Sequence, residues 1–116
     1  MTDRLTVVAM PDFMRRAKTA KTAMTDQERM ELIDYLSANP DAGVALGGDL
    51  YKVRFARAGG GKSGGFRTIH YYNANTGPLF LLTMFAKNEK SSLSKVETDG
   101  LIKLGREIAL WYRKRQ

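Results

Sequence analysis

The spacing of apolar residues at the start of the chain predicts a short strand followed by a helix. Leu5 to Met10 is an apolar run rich in β-branched residues, which is typical of an edge strand, and Pro11 ends it. Proline suits the first turn of a helix. From residue 12 to about residue 23, apolar side chains recur at helical spacing among arginines and lysines, so we expect a short basic helix there.

The next segment carries the signals of a second helix. Thr25 and Glu28 have the spacing of a capping box, in which each side chain satisfies a free backbone amide of the first turn. Residues 39 to 43, which include Pro40 and Gly43, end this helix. Its apolar stripe consists of Met30, Leu32, Ile33 and Leu36. The two helices should form a hairpin.

Beyond residue 48 the apolar period changes from that of a helix to that of a strand. Residues 50–57 alternate apolar and mostly basic side chains, which predicts a strand with one wet, basic face. Residues 66–73 are rich in β-branched and aromatic types, and residues 79–86 are apolar on both faces, as in a central strand. Because short links join these three strands, we expect an antiparallel meander.

A second capping box, from Ser94 to Glu97, opens the last helix. Its predicted core positions are Leu101, Leu104, Ile108 and Trp111. The chain is therefore predicted to have an α+β fold. We expect an antiparallel sheet of about four strands, with two N-terminal helices and one C-terminal helix packed on one face.

Composition limits the number of domains and the available chemistry. Residues 1–116 are expected to form a single domain, since this length supports one hydrophobic core. The absence of cysteine excludes disulfides, a thiolate nucleophile and a cysteine-based zinc site. The N-terminal apolar run is too short for a signal peptide or a membrane span, so we expect a cytoplasmic protein.

The charge of the chain is positive and unevenly distributed. The formal net charge of +7 favours a polyanionic partner such as nucleic acid. Residues 26–49 carry one base and six acids, whereas residues 50–86 carry five bases and no acid. The acid-free interval predicts a cationic patch on the strands, and the alternative is a merely solvated basic surface.

Two other kinds of site find no support in the sequence. Gly61-Lys62-Ser63 resembles the end of a phosphate-binding P-loop, but Ala56 stands where that pattern needs its first glycine, and a strand follows where it needs a helix. The acids lie mostly outside the basic strands, and His70 is the only histidine. We therefore expect neither a metal site nor a cofactor.

The order of these segments resembles the RelE/ParE superfamily of type II toxin–antitoxin toxins, and most closely its HigB-like branch. The resemblance extends over roughly residues 24 to 110 and is carried by two stretches. The first is Gly61-Lys62-Ser63-Gly64-Gly65-Phe66-Arg67 with the following Tyr71-Tyr72, and the second is Phe85-Ala86-Lys87-Asn88-Glu89-Lys90.

The resemblance implies a microbial-ribonuclease-like fold and a defined activity. Such a toxin inhibits translation as a ribosome-dependent endoribonuclease that cleaves mRNA without a metal. Its partners would be the ribosome, mRNA and a cognate antitoxin, which often carries a helix-turn-helix domain. The toxin itself would be monomeric and would not bind a membrane.

Carried over residue by residue, the resemblance predicts the functional side chains. The expected catalytic residues are Arg54, Arg67 and Lys87. Lys52 is carried over in the same way as an RNA-binding residue. Lys62, His70 and Tyr71 are expected to bind RNA from their own chemistry, and so is Asn88, which stands where some relatives have an arginine.

These residue types suit RNA cleavage, because the 2′-hydroxyl of RNA is itself the nucleophile. Arginine forks match phosphate oxygens. The two basic strands can pair so that the numbers of opposite residues sum to an odd value of about 123. In that register, Lys52 and Arg54 share a face with Arg67 and Tyr71. A slip of one residue would bring His70 to that face instead. The candidates for the general base are His70 and a lysine, either Lys62 or Lys87. A lysine can serve as a base because neighbouring positive charges make it lose its proton more readily.

Two alternatives fit the same sequence. One is a ParE-like protein that inhibits DNA gyrase and cuts no RNA. The other is a non-catalytic module whose cations merely neutralise nucleic-acid phosphates, with binding that weakens steeply in salt. The dense basic and aromatic residues of the strands favour the nuclease over the gyrase inhibitor.

Overall fold

The computed structural model describes residues 5–19, 23–56, 65–86 and 92–115, and in them a five-stranded sheet with three helices. The α+β class is confirmed. The strands are β1 (Val7–Ala9), β2 (Val44–Gly47), β3 (Leu50–Phe55), β4 (Phe66–Tyr71) and β5 (Leu79–Ala86). The helices are α1 (Pro11–Arg16), α2 (Asp26–Ala38) and α3 (Lys95–Lys114). The strand order across the sheet is β1-β5-β4-β3-β2.

The sheet has one strand more than predicted, and it is not wholly antiparallel. β3, β4 and β5 form the expected antiparallel meander, and β2 extends it as an antiparallel neighbour of β3. The turn between β2 and β3 is tight because Gly47, Gly48 and Asp49 all adopt positive φ values of 93°, 58° and 67°. β1 pairs with β5 in parallel. Parallel strands need a long connection, and here both helices and the earlier strands lie between the two in the sequence.

The helices cover both faces of the sheet, so the expectation that all three pack on one face was wrong for α3. On one face, Phe13 of α1 and Leu32 and Leu36 of α2 pack on strand residues such as Leu81 and Met84. On the other face, α3 covers a second cluster of buried strand residues, which contains Leu50, Ile69, Tyr71, Phe80, Leu82 and Phe85. The physical reason lies in β5, whose residues are apolar on both faces and therefore need cover on both.

α3 approaches the sheet through its small residues. Gly105 and Ala109 are the buried positions of this helix, and a Cβ atom on Gly105 would lie 2.3 Å from the ring of Tyr71. As a result, two predicted core residues turn outward, with Leu104 44% and Trp111 57% exposed. Met30 of α2, which was also predicted to face the core, is 60% exposed. Leu32 and Leu36 of the same helix are buried as predicted.

Both predicted capping boxes are confirmed. The Thr25 hydroxyl accepts from the Glu28 amide at 3.0 Å, and the Glu28 carboxylate accepts from the Thr25 amide at 2.8 Å. At the start of α3, the Ser94 hydroxyl accepts from the Glu97 amide at 3.1 Å, and the return bond to the Ser94 amide is 2.9 Å. α1 ends at Arg16, earlier than its apolar spacing predicted. Among the described residues, none of the helices combines the length and the apolar character that crossing a membrane would need.

Candidate nucleic-acid interface

The pairing of β3 with β4 brings the two predicted arginines together. Arg54 lies opposite Arg67, and Lys52 lies opposite Ile69. Each pair has an odd sum of residue numbers, so the strands adopt the register that places Lys52, Arg54 and Arg67 on one face. Arg67 is in turn paired with Phe85 of β5, and Ile69 and Phe85 belong to the core beneath α3. The three cations therefore share the sheet face that α3 partly covers.

The two arginines differ in burial, and neither has a carboxylate partner among the residues that the structure describes. Arg54 is exposed, while Arg67 is half-buried. The Nη1 atom of Arg67 is buried and has no hydrogen-bond partner among the described residues. Neither arginine forms an ion pair within the described part of the chain, where the ion pairs seen involve residues of α1, α2 and α3 only. Among the described residues, no carboxylate therefore competes with an external anion for either guanidinium group.

A cavity of about 420 Å³ is lined by Phe85, the residue of β5 that is paired with Arg67. Its lining also includes Thr83 of β5, Arg16 of α1 and Glu97 of α3. The Nε atom of Arg16 lies 3.3 Å from the carboxylate of Asp12, which also accepts a hydrogen bond from the Thr83 hydroxyl. Arg16 is not among the site residues predicted above. The run of bases in the first helix was the available signal, but nothing local in it indicates which base reaches the sheet.

His70 lies on the opposite face, away from the arginines. Its side chain is fully buried, its Nε2 donates to the Pro40 carbonyl oxygen at 2.7 Å, and its ring stacks on Tyr51 with centroids 5.3 Å apart. Burial lowers the pKa of His70, against smaller opposing effects of the Pro40 hydrogen bond and of Asp41. The structure does not bring this histidine to the cationic face.

Tyr71 lies on the arginine face, but α3 covers it. Only 4% of the residue is exposed, and its ring is the surface against which Gly105 packs. Burial, followed by the charge of Asp49, raises the pKa of Tyr71, while Arg106 acts in the opposite direction. Tyr71 therefore positions α3 and does not offer its ring to a base.

Three predicted site residues, Lys62, Lys87 and Asn88, lie outside the described residues. Within the described ranges there is no group of three or more histidine, cysteine, aspartate or glutamate side chains that could hold a metal ion. The structure thus places Arg54 and Arg67 opposite each other with Lys52 on the same face, and Arg16 lines the cavity that Phe85 also lines.

A comparison with protein families connects this arrangement to a known group. The family model described as the RelE toxin of the RelE/RelB toxin–antitoxin system matches residues 7–115. The match begins at the first residue of β1 and ends one residue after α3, so it includes the whole sheet and all three helices. The chain belongs to the RelE toxin family, and is thus a toxin of a toxin–antitoxin system with a cognate antitoxin as its partner.

Proposed function

We propose that this toxin is an endoribonuclease that cleaves mRNA on the ribosome and so inhibits translation in the cytoplasm. The observation that carries the proposal is the pairing of Arg54 with Arg67 on one sheet face, where neither has a carboxylate partner among the described residues. Like charges placed directly opposite each other destabilise a sheet. An anion between them relieves this repulsion, and the phosphate group of RNA matches two arginine forks.

The chemistry follows from the nucleophile that RNA already contains. The 2′-oxygen attacks the adjacent phosphorus, the bond from phosphorus to the 5′-oxygen breaks, and the products are a 2′,3′-cyclic phosphate and a 5′-hydroxyl. Arg54 and Arg67 bind the non-bridging oxygens and stabilise the charge that develops on them in the transition state. Lys52, on the same face, contacts the neighbouring phosphate. The reaction needs no metal ion in this scheme, since protein cations supply the charge stabilisation.

A base must take the proton of the 2′-hydroxyl, and water supplies the proton that the leaving 5′-oxygen takes up. We assign the proton acceptor to a lysine, Lys62 or Lys87, because His70 is buried on the other face of the sheet. The cavity beside Phe85 accommodates the nucleotide next to the cleaved bond, and Arg16 binds its phosphate. The ribosome would supply the positioning that this cationic face lacks, because it presents mRNA as a single strand in a fixed path. This supports a requirement for the ribosome.

The finer classification remains part of this proposal. We assign the toxin to the HigB-like branch, and the support for this is the resemblance of the stretches from Gly61 to Arg67 and from Phe85 to Lys90. Its antitoxin would then carry a helix-turn-helix domain, and the toxin would act as a monomer.

The test uses a translating extract with a reporter mRNA whose cleavage positions are mapped by primer extension. The wild-type toxin should cut ribosome-bound mRNA, and Arg67→Ala should lower the rate by about 100-fold or more, as loss of a transition-state contact does. Arg29→Ala is the matched control, since Arg29 pairs with Asp26 on α2, a helix that packs on the other face. Its rate should equal that of the wild type.

Each alternative outcome contradicts a definite part of the proposal. Equal cutting of naked and ribosome-bound RNA would reject the ribosome requirement. An unchanged rate for Arg67→Ala would remove Arg67 from the mechanism. Growth arrest with DNA damage and intact mRNA would indicate gyrase inhibition, and salt-sensitive binding without cleavage products would indicate a non-catalytic module.

A further inference from the structure

β5 contains an extra residue beside the cavity of about 420 Å³. Ile69 of β4 is paired with Thr83, and the next residue of β4 is paired with Leu81, so Leu82 is an extra residue in β5. A bulge of this kind re-aims a side chain and is frequent next to active sites. Paired residues point to the same side of a sheet, so Thr83 shares the α3 face with Ile69 and lines the cavity.

The side chain that the bulge turns to this face binds an acid of α1. The Thr83 hydroxyl donates a hydrogen bond of 2.5 Å to the carboxylate of Asp12, across 71 positions of the sequence. The same carboxylate oxygen accepts from the Nε atom of Arg16 at 3.3 Å, and the other oxygen pairs with Arg15. Asp12 therefore connects the bulge of β5 to the guanidinium group of Arg16, which lines the same cavity.

This arrangement differs from an ordinary ion pair on the surface of a helix. Asp12 and Arg16 stand at i and i+4 with side chains 40% and 39% exposed, and pairs so exposed stabilise a protein little. An ordinary pair also needs no hydroxyl group from a strand, whereas here the register shift supplies one. One carboxylate and two guanidinium groups leave a net charge of +1, so this corner of the cavity still attracts an anion.

We propose that Asp12, held by Thr83, is a positioning residue that directs the guanidinium group of Arg16 at the phosphate of the nucleotide in the cavity. A free arginine side chain loses rotamer freedom when it binds a ligand, and this loss weakens the contact. Holding Arg16 in place beforehand removes part of that cost. The carboxylate of Asp12 repels phosphate, so it acts through Arg16. The inference rests on the proposed cleavage of mRNA, in which Arg54 and Arg67 stabilise the transition state.

The test first measures binding without cleavage. The probe is a ribosome programmed with an mRNA whose codon at the decoding site carries 2′-deoxynucleotides, which lack the nucleophile. Arg16→Ala should raise the dissociation constant by about tenfold, as loss of a charged hydrogen bond does. Asp12→Ala should raise it by about threefold although it makes the toxin more positive. An acid that merely repelled mRNA would give the opposite result, because its removal would strengthen binding.

Variants of Thr83 test the anchor. Thr83→Val keeps the size of the side chain and removes the hydroxyl, so it should raise the dissociation constant by about threefold. Thr83→Ser keeps the hydroxyl and should bind as the wild type does. On mRNA with its 2′-hydroxyl groups, Thr83→Val should raise KM and change kcat little, because the contact is made in the ground state as well as in the transition state.

A double variant separates positioning from a general structural role. If Thr83 acts through Arg16, the toxin with both Arg16→Ala and Thr83→Val should bind no more weakly than Arg16→Ala alone. Thr76→Val is the matched control, because the Thr76 hydroxyl donates to the Asn73 carbonyl at 3.1 Å in the turn before β5, outside the lining of the cavity. Its dissociation constant should equal that of the wild type. Thermal unfolding shows whether each variant is folded.

The possible outcomes distinguish this inference from the proposed activity. An unchanged dissociation constant for Arg16→Ala or Thr83→Val, tighter binding by Asp12→Ala, or additive losses in the double variant would overturn the positioning role. An equal loss for Thr76→Val would also overturn it. If the wild type binds the deoxy-substituted complex but cleaves no ordinary mRNA, the nuclease proposal fails and the binding data still decide the role of Asp12. A wild type that does not bind the programmed ribosome would overturn both.

Discussion

Arg54 and Arg67 lie directly opposite each other on the antiparallel strands β3 and β4, on the face of the sheet that α3 partly covers. Side chains in this relationship are close neighbours, and like charges there repel. The described part of the chain places no carboxylate beside either of them to offset the repulsion. The arrangement therefore costs stability in the free protein and becomes favourable when an anion binds, as expected for a functional cation pair.

The first prediction concerns this cost. Arg54→Thr should raise the free energy of unfolding by about 0.2–1 kcal/mol, because it removes a cross-strand repulsion and adds a residue that favours strands. The same variant should lower mRNA cleavage. Urea unfolding at low and high salt measures the effect, and the gain should shrink as salt screens the charges. A variant less stable than the wild type at both salt concentrations would contradict the repulsion.

The second prediction concerns the contact between α3 and the sheet. Gly105→Ala places a Cβ atom 2.3 Å from the ring of Tyr71, so the helix must move away, at a cost of about 1–3 kcal/mol. Gly100→Ala on the same helix meets nothing within 4 Å, and should stabilise α3 by about 0.5–1 kcal/mol through helix propensity. Thermal unfolding of both variants measures these two changes in stability. Equal effects of the two substitutions would mean that α3 does not pack on Tyr71 as described.

The third prediction concerns pH. Burial lowers the pKa of His70 in the folded protein below its ordinary value of 6.5, so the unfolded chain binds the proton more readily. Stability contributed by the neutral histidine is therefore present above pH 6.5 and is lost as the pH falls through the lowered pKa of the folded state. His70→Gln removes this titration. Urea unfolding between about pH 7.5 and 5.5 should show a steeper loss of stability for the wild type than for the variant, and parallel curves would exclude the effect.

The fourth prediction concerns the start of α3. The Ser94 hydroxyl accepts a hydrogen bond from the Glu97 amide at 3.1 Å, and Ser94→Ala should cost about 1 kcal/mol of stability. Ser92→Ala provides the control, because Ser92 is exposed and precedes the cap. Chemical unfolding measures the free energy of unfolding of the two variants. A loss of stability for Ser92→Ala as large as that for Ser94→Ala would show that the cap is not the cause.

The features that local sequence determines were predicted correctly. The capping boxes at Thr25 and Ser94 depend on residues three positions apart, and the alternation that puts Lys52 and Arg54 on one face depends on the pleat of a single strand. The meander of β3, β4 and β5 follows from three apolar runs with short links. The capping boxes and the alternation rest on residues a few positions apart, and the meander rests on strands that follow one another in the sequence.

The features that only the tertiary structure decided depend on contacts between distant segments. The register that opposes Arg54 to Arg67 and turns His70 away is set by the pairing of two whole strands. Arg16 lines a cavity together with Thr83 and Phe85, which stand far later in the sequence. The sequence by itself determined which basic residues β3 and β4 carry, namely Lys52, Arg54 and Arg67. Packing of α3 through Gly105 on one face and of α1 and α2 on the other decided which side chains stayed accessible, because burial depends on what lies across the core and not on spacing along the chain.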